Sequence, residues 1–163
     1  MRFLRVILVL TVAVSATACS KFKSYDGPEV TQIVVQKSQR RMYLLHNQEV
    51  LKSYDIGLGF APEGHKQIEG DGKTPEGMYF IDRRNPNSNY HLSIGISYPN
   101  PVDRMAAADL GKSPGGDIFI HGRPWKDRKG GRDWTAGCIA VTNREMEDIY
   151  AMVRNGTPIS IAP

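Results

Sequence analysis

Two side chains late in the sequence could together perform nucleophilic catalysis. Cys138 follows Gly137, and His121 stands seventeen residues earlier, directly before Gly122. A thiol attacks as its thiolate, so it needs a base within hydrogen-bond reach, and an imidazole can serve. A glycine lets the main chain approach a substrate, so the N–H groups of Gly137 and Cys138 could face a developing oxyanion. Packing would explain either residue alone, because a lone cysteine is often a small buried hydrophobe.

The first residues of the chain predict export. Two arginines and an apolar run over residues 6–14 are followed by small residues up to Ala18. This basic, apolar, small-residue order is that of a secretory signal, and the run is too short for a permanent membrane helix. We therefore expect residues 1–18 to be removed, although a buried first strand or helix would also explain the run.

Cys19 would then begin the mature chain. Small residues before a cysteine resemble a bacterial lipobox, in which the thiol is lipidated, whereas Ala16-Thr17-Ala18 also fits ordinary A-x-A cleavage. Ser20 would direct such a lipoprotein to the outer membrane if the source is a Gram-negative bacterium. We expect a periplasmic protein that meets a membrane only through this lipid, with residues 19–29 as a linker and residues 30–163 as one domain.

Charge and cysteine content narrow the function classes. The formal net charge of +4 falls to +2 when Arg2 and Arg5 leave with the signal, and no arginine-rich block alternates with aromatics, so no nucleic-acid partner is expected. The histidines and cysteines lack the close pairs of a zinc site. Cys138 would be the single unpaired thiol of an exported domain, which is a candidate for catalysis when a histidine is available.

The apolar pattern predicts a domain that is mainly β with one main helix, as a sandwich or a partly open barrel. Asn47-Gln48 predicts a tight turn, and the glycine- and proline-rich residues 57–77 predict a long surface loop. Strands are predicted over residues 30–36, 42–46, 50–56, 78–82, 91–97, 117–121 and 157–161. His121 would end a strand, a common place for residues of a functional site.

Two helices are predicted from their first residues. Asn100 can cap a short helix over residues 101–110, which has a proline in its first turn. The main helix begins after Thr142, because Thr142 and Glu145 match a capping box. Apolar residues then recur at helical spacing, and Asn155-Gly156 ends the pattern.

The sequence around Cys138 resembles the catalytic signature of the L,D-transpeptidases, the YkuD-type domain. The shared features are His121-Gly122, a loop of similar length, and the segment Trp134–Val141 (WTAGCIAV). Upstream, residues 72–77 resemble the family's KTP-x-G segment. Two runs, residues 91–100 and 114–122, are typical of its YafK-like murein branch. The resemblance covers residues 30–163 and implies the β-rich catalytic domain of that family.

The resemblance implies a role for each matched residue. Cys138 would attack an amide carbonyl of a peptidoglycan stem peptide and form a thioester, with His121 as its base. The Gly122 carbonyl would orient the imidazole, and the N–H groups of Ala136, Gly137 and Cys138 would form the oxyanion hole. No metal or organic cofactor is implied. An amine, from diaminopimelate or from a lysine of a wall-linked lipoprotein, or water would resolve the thioester.

Four residues are candidates for binding the substrate: Arg123, Arg104, Tyr98 and Trp134. The two arginines could pair with the carboxylates of a stem peptide, which a guanidinium matches in a bidentate manner. Solvated or loop-pinning arginines are an equal alternative. The two aromatic residues could line the cleft, with core packing as the alternative.

The chain departs from the commonest family pattern on either side of Cys138. Ala136 stands where many members have histidine, and Ala140 stands where many have arginine or asparagine. Both changes touch the substrate pocket, so they leave the acceptor open and favour the YafK-like branch. We expect a monomeric cysteine transpeptidase. The alternatives are an amide hydrolase that releases proteins or peptides from peptidoglycan and, in a different class, a catalytically silent wall-binding lipoprotein.

Overall fold

The computed structural model describes residues 20–124 and 131–163. The predicted signal, residues 1–18, and the predicted lipid attachment at Cys19 lie outside these ranges, so both stay predictions. Within the described residues, no helix combines the length and the apolar character needed to cross a membrane.

Eight strands form one curled sheet, an open half-barrel. In chain order they are β1 (Gln32–Gln36), β2 (Arg41–His46), β3 (Glu49–Asp55), β4 (Gly77–Asn85), β5 (Ser93–Ile96), β6 (Phe119–His121), β7 (Ile139–Ala140) and β8 (Pro158–Ala162). Their order across the sheet is β3-β2-β1-β8-β4-β5-β6-β7. The pairs β1–β8 and β6–β7 are parallel and the remaining neighbours are antiparallel, so the chain must cross over before β7 and β8.

Strand alternation builds the core on the inner face of the sheet. In β1, Ile33 and Val35 are buried between partly exposed neighbours, and in β8 Ile159 and Ile161 repeat the pattern. Successive side chains of a strand point to opposite faces, so each strand contributes every second residue to this core. Strand β5 is buried along its whole length and lies beside the strands that carry the site.

Two helices flank the sheet, α1 (Pro101–Asp109) and α2 (Asn143–Met152). The predicted capping box of α2 is present, because Thr142 Oγ1 accepts from the Glu145 N–H while the Glu145 carboxylate accepts from the Thr142 N–H. Asn100 caps α1 in the same reciprocal way with a residue of its first turn. The inner face of α2 packs three residues against the core: Met146, Ile149 and Met152.

The structure confirms the predicted β-rich fold and, of the two predicted arrangements, has the partly open barrel. Element boundaries agree within three residues, but β7 was missed because two residues are too few to show a period. The prediction of a surface loop over residues 57–77 was wrong in one respect. The segment is a loop, yet Leu58, Lys66 and Thr74 are buried, because part of it packs beneath the segment that carries Cys138.

Candidate active site

Strand β6 presents the predicted base to a cavity. Ile118 and Ile120 point into the core, whereas Asp117, Phe119 and His121 line a cavity of about 530 Å³. The alternation of side chains along the strand therefore decides which residues face the cavity. The residues lining it are Asn85, Ser88, Asn89, Tyr90, Ser93, Asp117, Phe119, His121, Trp134, Thr135, Ala136 and Cys138.

His121 belongs to a row of residues that crosses four neighbouring strands. Asn85 of β4 pairs with Ser93 of β5, and Ser93 pairs with His121 of β6. Ala140 of β7 continues the row on the other side of His121. Asn85 and Ser93 thus extend the cavity floor away from the imidazole, with small polar side chains.

Cys138 lies directly before β7 and beside Phe119 of β6. The Phe119 N–H donates to Cys138 Sγ at 3.4 Å, and the thiol donates to the Asp117 carbonyl at 3.5 Å. Among the described residues, the hydrogen-bond partners of Sγ are thus main-chain groups at the beginning of β6. The parallel pairing of β6 with β7 brings Cys138 and His121 to one cavity, although seventeen residues separate them in sequence.

The side chain of Thr135 closes the turn that leads to Cys138. Thr135 Oγ1 donates to the Cys138 carbonyl at 2.7 Å and accepts from the Gly137 N–H at 3.2 Å. Thr135 is buried, and its hydroxyl satisfies the buried Gly137 N–H and the partly buried Cys138 carbonyl. This changes the predicted oxyanion hole, because the Gly137 N–H already has an acceptor. The N–H groups of Ala136 and Cys138 have no acceptor within the described part of the chain.

Gly137 fits a gap that no other residue could occupy. Its φ is +133°, and a Cβ there would lie 2.6 Å from the Lys73 carbonyl oxygen and 3.2 Å from Ile118 Cδ1. Both the left-handed backbone and the short distance to the main chain require glycine. The contact also shows what the KTP-x-G segment does structurally, since Lys73 packs directly against the turn that carries the thiol.

A buried lysine fixes the KTP-x-G segment in place. Lys37 extends from the end of β1, and its side chain is 3% exposed. A buried ammonium needs acceptors for its three protons. Lys37 Nζ has three: Glu76 Oε1 at 2.7 Å, Gly64 O at 2.6 Å and Thr74 O at 3.0 Å. The Thr74 hydroxyl then accepts from the Gly59 N–H at 3.1 Å, so the loop over residues 57–77 is tied to itself as well as to the sheet.

An ion pair fixes the chain just before the Thr135 turn. The Asp133 carboxylate accepts from Arg40 Nε at 3.0 Å and from Arg40 Nη2 at 2.8 Å. It also accepts from the Leu58 N–H at 2.9 Å. A guanidinium that binds a carboxylate through two nitrogens fixes orientation as well as position. The turn is therefore fixed at Asp133 before it and by the β6–β7 pairing after it.

The imidazole of His121 is held in one tautomer. Nδ1 lies 2.6 Å from the Gly122 carbonyl oxygen, and because a carbonyl only accepts, Nδ1 carries the proton. Nε2 therefore keeps its lone pair and can take a proton. Burial lowers the pKa of His121, and the hydrogen bond to Gly122 partly opposes this while the charge of Arg123 adds to it. The Gly122 carbonyl thus makes the contact expected of an orienting group, and its part in catalysis stays a prediction.

The thiol of Cys138 is also held in its neutral form. Burial raises its pKa, because desolvation penalises the thiolate. The Phe119 N–H and the positive charges of Lys66 and Arg83 favour the thiolate, whereas Asp117 opposes it. With the pKa of the thiol raised and that of the imidazole lowered, the resting pair is a thiol and a neutral imidazole.

Two aromatic residues enclose the imidazole. The ring centroid of His121 lies 4.5 Å from that of Tyr90 and 5.7 Å from that of Trp134. Such ring contacts restrict rotation of the imidazole and exclude water from its faces. Trp134, a predicted substrate contact, lines the cavity, and its buried Nε1–H has no acceptor within the described residues. Tyr90 was not among the predicted site residues, because nothing in the local sequence distinguishes it from other surface tyrosines.

The other three predicted substrate contacts lie outside the cavity lining described above. Arg123 is the nearest, with its guanidinium 5.6 Å from the Trp134 ring centroid. Tyr98 is only 4% exposed and donates to the Pro114 carbonyl, so the structure assigns it to the core instead of the cleft. Arg104 is exposed on α1, a helix that contributes no residue to the lining.

Ala140 is buried where the loop over residues 57–77 meets strand β7. It is 2% exposed and exchanges two main-chain hydrogen bonds of 2.8 Å with Gly57. The loop over residues 57–77 therefore covers the position at which many family members carry arginine or asparagine. Ala136, in contrast, is exposed at the cavity. Of these two residues, only Ala136 lines the cavity that contains Cys138 and His121.

Comparison with known proteins agrees with this architecture. Residues 30–161 match the YkuD family, described as the L,D-transpeptidase catalytic domain. The chain is 30% identical over 132 residues to the putative L,D-transpeptidase YafK of Escherichia coli K12, covering 78% of this chain and 48% of YafK. The helical cell shape determining protein Pgp2 of Campylobacter jejuni superposes with a TM-score of 0.65 at 29% identity, over 84% of this chain and 49% of that one. Bd1075 of Bdellovibrio bacteriovorus gives a TM-score of 0.59 at 26% identity, over 82% and 48% of the two chains.

The half-barrel sheet and the cavity shared by a cysteine and a histidine define a β-rich catalytic domain. The chain belongs to the L,D-transpeptidase family, as a YkuD-type catalytic domain. It spans about half the length of the relatives it matches. Family membership thus rests on residues 30–161.

Proposed function

We propose that this protein is a cysteine L,D-transpeptidase that acts on stem-peptide amides of peptidoglycan through a thioester at Cys138. The observation that carries the proposal is the convergence of Cys138 and His121 on one cavity, with the Nδ1–H of His121 bound by the Gly122 carbonyl. This arrangement leaves a basic Nε2 in the cavity that contains the thiol. A module that only binds the wall needs neither group.

In the first half of the reaction, the thiol transfers its proton to His121 Nε2 as Sγ attacks the carbonyl carbon. A tetrahedral oxyanion forms, and the C–N bond then breaks while the imidazolium protonates the departing amine. A thioester at Cys138 remains. Because both groups are neutral at rest, charge separates only as Sγ attacks the substrate. The groups that bind the oxyanion can then offset the free-energy cost of that separation.

The N–H groups of Cys138 and Ala136 are the proposed donors to the oxyanion. Both are free of protein acceptors among the described residues, whereas the Gly137 N–H donates to Thr135. Gly137 then has a different role from the one predicted: it allows the close contact with Lys73 that sets the direction of the turn. Thr135 holds that turn through the Cys138 carbonyl, so the donors are fixed before the substrate binds.

In the second half, a nucleophile attacks the thioester carbonyl carbon and gives its proton to His121. The C–S bond then breaks, and the imidazolium returns the proton to Sγ, so that Cys138 leaves as the thiol. An amine of a second stem peptide gives a cross-link, an amine of a wall-linked lipoprotein gives attachment, and water gives hydrolysis. Exposed Ala136 leaves the cavity open beside Cys138, so it places no bulky group against the nucleophile. Aminolysis is the main proposal, and hydrolysis that releases peptides or proteins from the wall is the alternative.

The relatives support a proposal for the location and role of the protein in the cell. Pgp2, at 29% identity, is described as a helical cell shape determining protein, and YafK is a putative L,D-transpeptidase. We propose that the present chain likewise acts on the cell wall, in the periplasm. Lipidation at Cys19 would hold it at the outer membrane.

Covalent labelling with a carbapenem, which resembles the acyl donor, tests the thiol chemistry. We expect a single adduct by intact-protein mass spectrometry, mapped to Cys138 by peptide analysis and abolished by Cys138→Ala. His121→Gln should slow labelling by about 100-fold or more, the usual contribution of a positioned base. Cys19→Ser is the matched control, because it removes the other cysteine of the sequence and should label normally. A folded, reduced wild-type protein that gives no adduct would refute the proposal.

The reaction products show which acceptor resolves the thioester. Purified sacculi incubated with the enzyme and digested with a muramidase should yield new dimeric muropeptides if an amine resolves the thioester. Shortened monomers alone would show that water does so. Cys138→Ala, carried through the same digestion, gives the background from contaminating hydrolases.

A further inference from the structure

Residues 20–25 form an amino-terminal strap that lies against α2 and against the loop over residues 86–92, which joins β4 to β5. Lys21 Nζ of the strap donates to the Pro86 carbonyl at 2.6 Å and to the His91 carbonyl at 3.2 Å. Three residues of this loop line the cavity that contains the candidate nucleophile and base. The strap therefore binds both ends of a segment that forms part of the cavity wall.

A second lysine of the strap reaches the same loop through α2. Lys23 Nζ donates to Asp148 Oδ1 at 2.7 Å and lies 3.3 Å from Glu147 Oε2. The other oxygen of Glu147 lies 2.9 Å from His91 Nε2. His91 has a φ of +74°, a left-handed backbone that a residue other than glycine keeps only when its surroundings hold it. Its carbonyl is held by Lys21, and its ring is held by a carboxylate that Lys23 binds.

Tyr90 depends on this loop for its position. Its ring centroid lies 4.5 Å from that of His121, yet the residue is 39% exposed, so core packing does not hold it. Within the described residues, three side-chain hydrogen bonds join residues 86–91 to distant parts of the chain. Two come from Lys21, and the third joins His91 to the carboxylate that the strap binds. The strap thus takes part in every one of these long-range attachments.

The loop also touches the group that orients the base. A Cβ at Gly122 would lie 2.9 Å from the Tyr90 carbonyl oxygen and 3.3 Å from His91 Cβ. The carbonyl of this same Gly122 binds Nδ1 of His121 at 2.6 Å. A shift of the loop would therefore disturb both the ring contact with the imidazole and the hydrogen bond that fixes its tautomer.

We propose that Lys21 is a positioning residue for the reaction, which acts through the loop over residues 86–92 to keep Tyr90 against the imidazole of His121. With the Tyr90 ring in place, one face of the imidazole is shielded from water and its rotation is restricted. The inference rests on the proposed function and deepens it by assigning a part in the reaction to a residue outside the cavity. The competing interpretation is that Lys21 only fastens the strap, so that its loss would affect stability and leave the site unchanged.

Replacing Lys21 with methionine removes both hydrogen bonds and keeps the length of the side chain. In a fully folded sample we expect carbapenem labelling to slow by about 10-fold or more, because a small misplacement at a reacting site has a large effect on rate. The pKa of His121, followed by NMR, should rise toward its ordinary value of about 6.5, because water then reaches the ring. The imidazole signal of His121 is assigned by its absence from the spectrum of His121→Gln.

A second background shows whether the effect passes through Tyr90. In Tyr90→Ala protein, Lys21→Met should change neither the labelling rate nor the pKa of His121 any further, because the contact that it supports is already gone. Loss of the lysine charge by itself would act with or without the tyrosine, so changes of equal size in both backgrounds would overturn the proposal. Labelling of the single variant within about twofold of the wild type, or slower labelling with an unchanged pKa of His121, would overturn it as well.

Lys52→Met is the matched control. Lys52 is exposed on β3, so this substitution removes the same charge and leaves both hydrogen bonds of Lys21 in place. It should label at the wild-type rate and leave the pKa of His121 unchanged. The NMR titration needs no thiol chemistry. A wild-type protein that gives no adduct would therefore count against the proposed function, while the pKa of His121 and its dependence on Tyr90 still decide the role of Lys21.

Discussion

Replacing Thr135 with valine tests whether the turn before Cys138 is held by one hydroxyl. Valine has the shape of threonine without its hydrogen-bonding capacity. The change removes the donor to the Cys138 carbonyl at 2.7 Å and the acceptor of the Gly137 N–H at 3.2 Å. Thr135 is 4% exposed, so water cannot readily replace either partner.

The expected loss of stability follows from these two groups. A buried polar group left without a partner costs about 1–3 kcal/mol, so two such groups cost roughly 2–4 kcal/mol when the longer bond is given less weight. That is a large share of a typical free energy of unfolding of about 5–15 kcal/mol. The released turn also shifts the thiol and the proposed oxyanion donors. A displacement on the order of 1 Å would slow acylation by about 100-fold.

Two measurements on the same samples separate these effects. Urea denaturation gives the free energy of unfolding, and the rate of carbapenem labelling, taken where the variant is fully folded, gives the effect on the site. Thr135→Ser is the control, since it keeps the hydroxyl and loses one methyl, which costs about 1 kcal/mol. A free energy of unfolding of Thr135→Val within about 0.5 kcal/mol of the wild-type value, together with a labelling rate equal to that of the wild type, would show that the hydroxyl does not hold the turn.

Three further predictions concern the same site. Burial lowers the pKa of His121 below its ordinary value of about 6.5, so the unfolded chain binds more protons than the folded chain. The free energy of unfolding should therefore fall as the pH drops from about 7 to about 5. His121→Gln should reduce this loss in urea denaturation at both pH values, and an unchanged loss would contradict the prediction. Gly137→Ala should destabilise by about 2 kcal/mol or more, because its Cβ meets the Lys73 carbonyl at 2.6 Å, and slow labelling in a folded sample. Ala140→Arg introduces a residue that is common at this position in the family. It should lower the free energy of unfolding by about 1–3 kcal/mol through overpacking against Gly57, which thermal denaturation can check. Unchanged stability would mean that the loop over residues 57–77 moves to accommodate the arginine.

Local signals in the sequence located most elements of the fold. The capping residues Asn100 and Thr142 predicted the first turns of both helices, because caps act through neighbouring main-chain groups. Strand alternation in β1 and β8 likewise showed which side chains face the core. Strand β7 gave no such signal, since its two residues are a strand only through their pairing with β6.

The site was predicted in part. Cys138, His121 and Gly122 were identified from residue type, spacing and resemblance, and the structure brings all three together. The sequence left Tyr98 open between the cleft and the core, because aromatic residues serve in both and nothing in the local sequence separates the two, and the structure places it in the core. Thr135, Lys37 and Asp133 were not predicted, because each acts on a main-chain group or side chain that lies beside it only in the folded chain.

The sequence by itself indicated the family and the residues proposed as nucleophile and base, since these depend on residue types at fixed spacing along the chain. The tertiary structure alone decided what those residues can do. The parallel β6–β7 pairing brings Cys138 into the cavity that His121 lines, and burial keeps both neutral at rest. The row from Asn85 over Ser93 to His121 exists only across three strands, because residues far apart in sequence become neighbours through sheet register.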